Sequence, residues 1–152
     1  MTLCSDVLSA LKGKTLVTAE SLTGGGVGAA LTQVSGASAI HKGGIISYPN
    51  EVKHNLLGVP MEILEQYGAV SEPVAKAMAE GARKVLEADI AVSVTGLAGP
   101  GGDEYGNPVG TVFIGYSDSK TTAVKQCLFS CDRESIRNQN IETALNLILS
   151  MQ

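Results

Sequence analysis

The chain has no tryptophan, two phenylalanines and three cysteines among its 152 residues. Charged side chains make up only 17%, and the 15 acids outnumber the 11 Lys and Arg, for a formal charge of −4. The cationic excess that non-specific nucleic-acid binding needs is therefore missing. No apolar run approaches the ~18 residues that cross a bilayer. The opening Met1-Thr2-Leu3-Cys4-Ser5-Asp6 lacks the basic region and apolar stretch of a secretory signal. These absences predict a cytoplasmic protein with neither a membrane nor a nucleic-acid partner. Cys4, Cys127 and Cys131 cannot all pair, none lies in a CxxC, and two alone cannot build a zinc site, so free thiols are expected. His41 and His54 have no partner at metal spacing, which predicts structural or surface roles, no metal and no cofactor.

What the chain does have is apolar residues, at 44%, and 18 glycines. The apolar share supports a core, and the length fits one domain, residues 1–152. Glycine gathers at 24–28, 43–44 and 96–106, each beside an apolar run, which suggests backbone turned tightly at a site rather than a flexible linker.

Periodicity predicts a helix over 3–12, a strand over Thr15–Ala19, and a helix from Gly24 to Val34 with Thr23 as its cap. Gly43–Tyr48 reads as a strand ended by Pro49. Asn50 then caps a helix through Leu57 that Gly58 stops. A short helix follows over Met61–Tyr67. Ser71-Glu72-Pro73 opens another helix, with Val74, Met78, Gly81 and Val85 on its inner face. Ile90–Thr95 carries no charge, as a central strand should. Residues 97–108 form a glycine- and proline-rich loop. Val109–Tyr116 and Ala123–Phe129 read as a hairpin, and Asp132 caps a last helix to about Leu149. Strands and helices alternate before a hairpin, which predicts an α/β layered domain with a mixed sheet.

Four places combine unusual chemistry with unusual position. Ser21 follows a strand and precedes Thr23-Gly24-Gly25-Gly26, so it either helps cap a helix or is a nucleophile beside free N–H groups. Lys53 projects between Leu56 and Leu57 toward the apolar side of its helix. A lysine there either snorkels at a rim or is desolvated into a base for a serine. Arg133 and Arg137 fall at about 60° and 100° within the apolar arc of the last helix, near its positive end. That arrangement demands an anionic partner: a protein carboxylate, or a ligand phosphate or carboxylate. Thr95-Gly96-Leu97-Ala98-Gly99 follows the uncharged strand directly, where open α/β sheets bind ligands. It is either a surface loop or an anion-binding lid, and it matches neither a Walker loop nor a dinucleotide fingerprint.

Together these segments resemble the CinA C-terminal domain family, whose characterised enzymatic members are nicotinamide-nucleotide amidohydrolases. The resemblance rests on TAESLTGGGVGAALTQVSGAS (18–38), GGIISYPNEVKHNLLGV (43–59), YGAVSEPVAKAMAEGA (67–82), SVTGLAGPGGDEYGNPVGTVFIGY (93–116) and CDRESIR (131–137). It implies a three-layer α/β/α sandwich in the stand-alone form of the family, a homo-oligomer. The implied reaction hydrolyses the carboxamide of nicotinamide mononucleotide to nicotinic acid mononucleotide and ammonia. Carried across, Ser21 resembles the nucleophile and Lys53 its base. Tyr48 and Thr95 resemble site-lining residues, and Arg137 resembles a substrate-binding arginine. Arg133, Thr23, Gly24, Gly25, Gly96 and Gly99 complete the expected substrate-binding set. Leu22 stands where many relatives have Cys, and Pro49 where many have Ser. Two alternatives accompany the amidase reading: a non-catalytic nucleotide-binding or competence- and repair-linked module, and an amidohydrolase of another phosphorylated amide.

Overall fold

The uncharged run Ile-Ala-Val-Ser-Val-Thr is buried throughout as part of a central strand. In the computed structural model, which describes residues 2–152, the elements are α1 (Leu3–Ala10), β1 (Leu16–Glu20), α2 (Gly26–Thr32), β2 (His41–Ile46), α3 (Asn50–Leu57), α4 (Met61–Tyr67), α5 (Glu72–Val85), β3 (Ile90–Gly96), β4 (Thr111–Ser117), β5 (Thr122–Leu128) and α6 (Arg133–Ser150). A short 3₁₀ turn at Ala37–Ala39, not read from the sequence, precedes β2. The five strands form one sheet in the order β2-β1-β3-β4-β5. β1 runs parallel to both β2 and β3, while β4 and β5 are antiparallel additions.

Helices cover both faces, giving the three-layer sandwich. One core joins Val7, Leu8 and Leu11 to Val27, Leu31, Ile136, Leu145 and Ile148 against Leu16, Val92 and Ile114. The other joins Leu57, Leu64, Val74, Met78 and Ala82 to Val17, Ala19 and Ala91. Each buried aliphatic side chain contributes roughly 1.5–3 kcal/mol by leaving water. No helix among the described residues is long and apolar enough to cross a membrane, and the three thiols are free.

Several boundaries shift for physical reasons. α2 begins at Gly26 rather than Gly24, because Gly24 and Gly25 both adopt positive φ, a conformation no α-helix contains. β2 starts two residues earlier than its apolar run and ends at Ile46. Asn50 is the first helical residue of α3, with Pro49 at the cap position. Ser71 holds the cap position of α5, but its hydroxyl donates to Gly68 O instead of accepting from the helix. Asp132 does cap α6, accepting from Ser135 N at 2.8 Å. The inner face of α5 is Val74, Ala75, Met78, Ala79 and Ala82, whereas Val85 is exposed. Leu56 is also exposed, so α3 turns its Lys53–Leu57 row inward. Which stripe of a short helix faces the sheet is fixed by what packs across from it, and Gly81 decides this for α3. A Cβ at Gly81 would overlap the Leu57 carbonyl oxygen, so only glycine lets α5 and α3 approach this closely.

Candidate functional site

The carboxyl ends of β1, β2 and β3 lie side by side, with Glu20 in register with Ile46 on one side and Val94 on the other. Ser21 directly follows β1, and its N–H donates to Val94 O at 3.1 Å. Ser47 follows β2, and its N–H donates to Glu20 O at 2.7 Å. The ladder thus runs past the strand ends and fixes the backbone that opens onto a cleft of about 300 Å³. Ser21, Tyr48, Lys53, Thr95, Gly96, Gly99 and Arg133 are among its lining residues.

Lys53 enters this cleft from beneath. Only 1% of its surface is exposed. Its Nζ donates to Ser47 O, to Tyr48 O at 2.9 Å and to Ser21 Oγ at 3.2 Å. The sequence alternative between snorkelling and desolvation is thereby resolved in favour of desolvation. Burial pulls its pKa from the ordinary 10.5 to about 8, because an ammonium loses solvation there without a carboxylate to replace it. Two of the amine's positions are taken by backbone carbonyls, so the third faces the serine. When protonated, Nζ donates to Ser21 Oγ; when neutral, its lone pair faces the serine hydroxyl.

Pro49 belongs to the frame of this arrangement. Its carbonyl accepts from Lys53 N at 3.3 Å, and its side chain does not line the cleft. The lysine's anchors are the backbone carbonyls of Ser47 and Tyr48, so proline in place of serine at position 49 removes none of them.

Among the described residues neither arginine pairs with a protein carboxylate. Arg137 is half-buried; its Nε donates to Leu22 O at 2.9 Å and its Nη2 to Thr23 O at 3.1 Å. Arg133 is exposed at the start of α6 and bridges Gly99 O (2.7 Å) and Tyr48 Oη (3.1 Å). Backbone carbonyls, with their partial negative charge, supply what a carboxylate was expected to supply. Arg133 thereby ties the glycine-rich loop to β2's end across the cleft mouth.

Thr23, Gly24 and Gly25 lie under the cleft rather than on its wall. Thr23 is fully buried, and its hydroxyl donates to Glu20 Oε1 at 2.7 Å instead of capping α2. Gly24 packs against Arg137 Nη2 and Gly25 against Ile46. Thr95 Oγ1 donates to Ala69 O at 2.8 Å, fixing the cleft wall. The loop beyond is strapped down, with Tyr105 Oη donating to Glu65 O and Asn107 Nδ2 to Val70 O. His54 is exposed, with Nδ1 2.8 Å from Val59 O. His41 is half-buried behind Gly28, where burial lowers its pKa. Neither lines the cleft.

Glu20 is the residue that pattern reading passed over. It is 2% exposed and accepts from Thr23 Oγ1, Val27 N and Gly28 N. The signal was present: an acid closing a buried strand must find donors, and a glycine-opened helix a few residues later offers them.

A sequence model described as the CinA C-terminal domain matches residues 2–152. The chain belongs to the CinA C-terminal domain family. A CinA-like protein of Rippkaea orientalis is 49% identical over 150 residues, covering 95% of this chain and 36% of the relative. A CinA-like protein of Sulfurihydrogenibium is 48% identical over 135 residues, covering 89% and 34%. The chain therefore spans about a third of the length of these curated relatives. Among solved structures, the competence damage-inducible protein A of Klebsiella pneumoniae superposes with a TM-score of 0.95 at 36% identity, covering 97% of this chain and 93% of that one. A competence-damaged protein superfamily member from Escherichia coli gives 0.96 at 32% identity, covering 99% and 88%. The fold of the sheet and both helical layers is thus that of the CinA superfamily structures.

Proposed function

We propose that this CinA-family chain hydrolyses the carboxamide of nicotinamide mononucleotide, with Ser21 as nucleophile and Lys53 as its base. The observation that carries the reading is the buried amine of Lys53 on the hydroxyl of Ser21, 3.2 Å away, with its pKa lowered to about 8. A base must be neutral to take a proton, and desolvation raises the share of Lys53 that is neutral. The family resemblance supplies the substrate.

In this mechanism neutral Lys53 takes the Ser21 proton as Oγ attacks the carboxamide carbon. The N–H of Leu22, which lines the cleft, meets no acceptor among the described residues, and it supplies a donor for the developing oxyanion. As the tetrahedral species collapses, the C–N bond breaks and Lys53 returns the proton to departing ammonia. A water then attacks the serine ester, passing its proton to Lys53 and on to Ser21 Oγ, and the acid leaves. Arg133 and the 96–102 loop hold the 5′-phosphate, since a guanidinium at the mouth forms charge-assisted bonds with phosphate.

Ammonia release from the mononucleotide by the purified protein tests the reading, and no release overturns it. The competence and damage names of solved relatives favour a second reading, a non-catalytic nucleotide-binding module. Thermal stabilisation by the mononucleotide without ammonia would select it. Turnover of a different phosphorylated amide in a substrate panel would keep the chemistry and change the substrate.

A further inference from the structure

The turn that carries Ser21 is gripped from two sides by opposite charges. On one side, Glu20 takes its donors: Oε1 accepts from Thr23 Oγ1 (2.7 Å) and Val27 N (2.8 Å), and Oε2 from Gly28 N (3.1 Å). The N–H groups that open α2, which would otherwise attract an external anion, are spent on the chain's own carboxylate. On the other side, Arg137 takes the turn's acceptors, Leu22 O and Thr23 O. Neither residue lines the cleft. Between them lie Gly24 and Gly25 at φ of 60° and 101°. Glycine backbone of this kind is permissive and does not fix a turn unaided.

A peptide unit is rigid and planar, and in the trans form its C=O and N–H point in opposite directions. The Leu22 carbonyl held by Arg137 therefore orients the Thr23 N–H away from Arg137. The same grip fixes the plane of the peptide that follows Leu22, whose own N–H faces no acceptor among the described residues.

We propose that Glu20 and Arg137 are positioning residues: one sets where β1 gives way to α2, the other sets the peptide planes after Ser21. Together they hold the serine hydroxyl on Lys53 and the free Leu22 N–H beside it. This inference rests on the reading of Ser21 and Lys53 as nucleophile and base, and it gives Arg137 a role other than gripping phosphate.

Glu20→Gln and Arg137→Lys test it. Gln turns an NH₂ toward groups that are themselves donors, and Lys replaces a planar fork that meets the Leu22 and Thr23 carbonyls from two separate nitrogens with a single Nζ. With each variant shown to melt as a folded protein, kcat falls about 10- to 100-fold, the effect expected of misplacing a reacting group by up to an ångström. KM stays within about threefold, and the loss is the same on the mononucleotide and on its phosphate-free riboside. If Arg137→Lys instead raises KM for the mononucleotide alone, Arg137 is a phosphate ligand and the proposal fails. Crystal structures of the variants give a readout independent of substrate: Ser21 Oγ leaves hydrogen-bonding reach of Lys53 Nζ. Retention of the wild-type 3.2 Å contact in both overturns the proposal. If the wild-type protein releases ammonia from neither amide, the functional reading falls while those structures still decide the positioning claim.

Discussion

Lys53 Nζ stands 3.2 Å from Ser21 Oγ across 32 positions of sequence. Two features bring them together. β1 ends one residue before the serine, and α3 turns the Lys53–Leu57 row toward the sheet. The short reach from Pro49 to Lys53 lets the amine fold back onto the carbonyls of Ser47 and Tyr48.

Ser21→Ala removes the nucleophile while leaving the lysine's two carbonyl partners in place. Ammonia release falls by at least about 10³-fold, as for other activated serines. Thermal melting changes little, because among the described residues the hydroxyl's one partner is Lys53.

Activity follows the protonation of Lys53. The base works only when neutral, so kcat/KM rises with pH and levels off above about 8. Stability moves in the same direction. Below about pH 8 the lysine is charged in both states and the folded state bears the full desolvation cost. Between about 8 and the unfolded value of 10.5, only the unfolded chain keeps the proton, so stability rises with pH across this window. The rise amounts to about 3 kcal/mol. Denaturation curves of wild type and Lys53→Met at pH 7 and pH 11 measure it: the variant lacks this component and is inactive at both.

Arg133→Ala opens the bridge between Gly99 O and Tyr48 Oη and removes the proposed phosphate contact. A charge-assisted bond worth about 1.5–3 kcal/mol corresponds to a KM for the mononucleotide raised about 10- to 100-fold. The KM for the riboside stays near its wild-type value, which steady-state kinetics on both substrates will read.

Gly81→Ala, far from the cleft on α5, forces a methyl group against the Leu57 carbonyl. Overpacking of this kind costs about 1–3 kcal/mol, visible as a lower denaturation midpoint. Since α3 is the element displaced, kcat falls too, even though no atom of the cleft has been replaced.

Much of this site was legible because helical periodicity and end signals are local. The bounds of α3 and α4 follow from Pro49, Gly58, Pro60 and Gly68 at their ends. A lone lysine beside the apolar row of α3 marked itself by position. The exposed Leu56 and Val85 were misread because an apolar residue carries no label for which of two adjacent stripes will pack. The partners of Arg133 and Arg137 were missed because pattern reading pairs charges with charges. A turn's unspent carbonyls become visible as acceptors only when α6 lies over the end of β1.

The sequence by itself determined the family, the layered α/β class and the residue types of the site, since these depend on local periodicity, turn chemistry and motifs. The tertiary structure alone decided that Lys53 is desolvated rather than snorkelling, that Glu20 rather than Thr23 satisfies the start of α2, and that Arg137 grips a turn. Each of these is a competition for hydrogen-bond partners in a dry interior. Its winner depends on distances between segments that lie far apart along the chain.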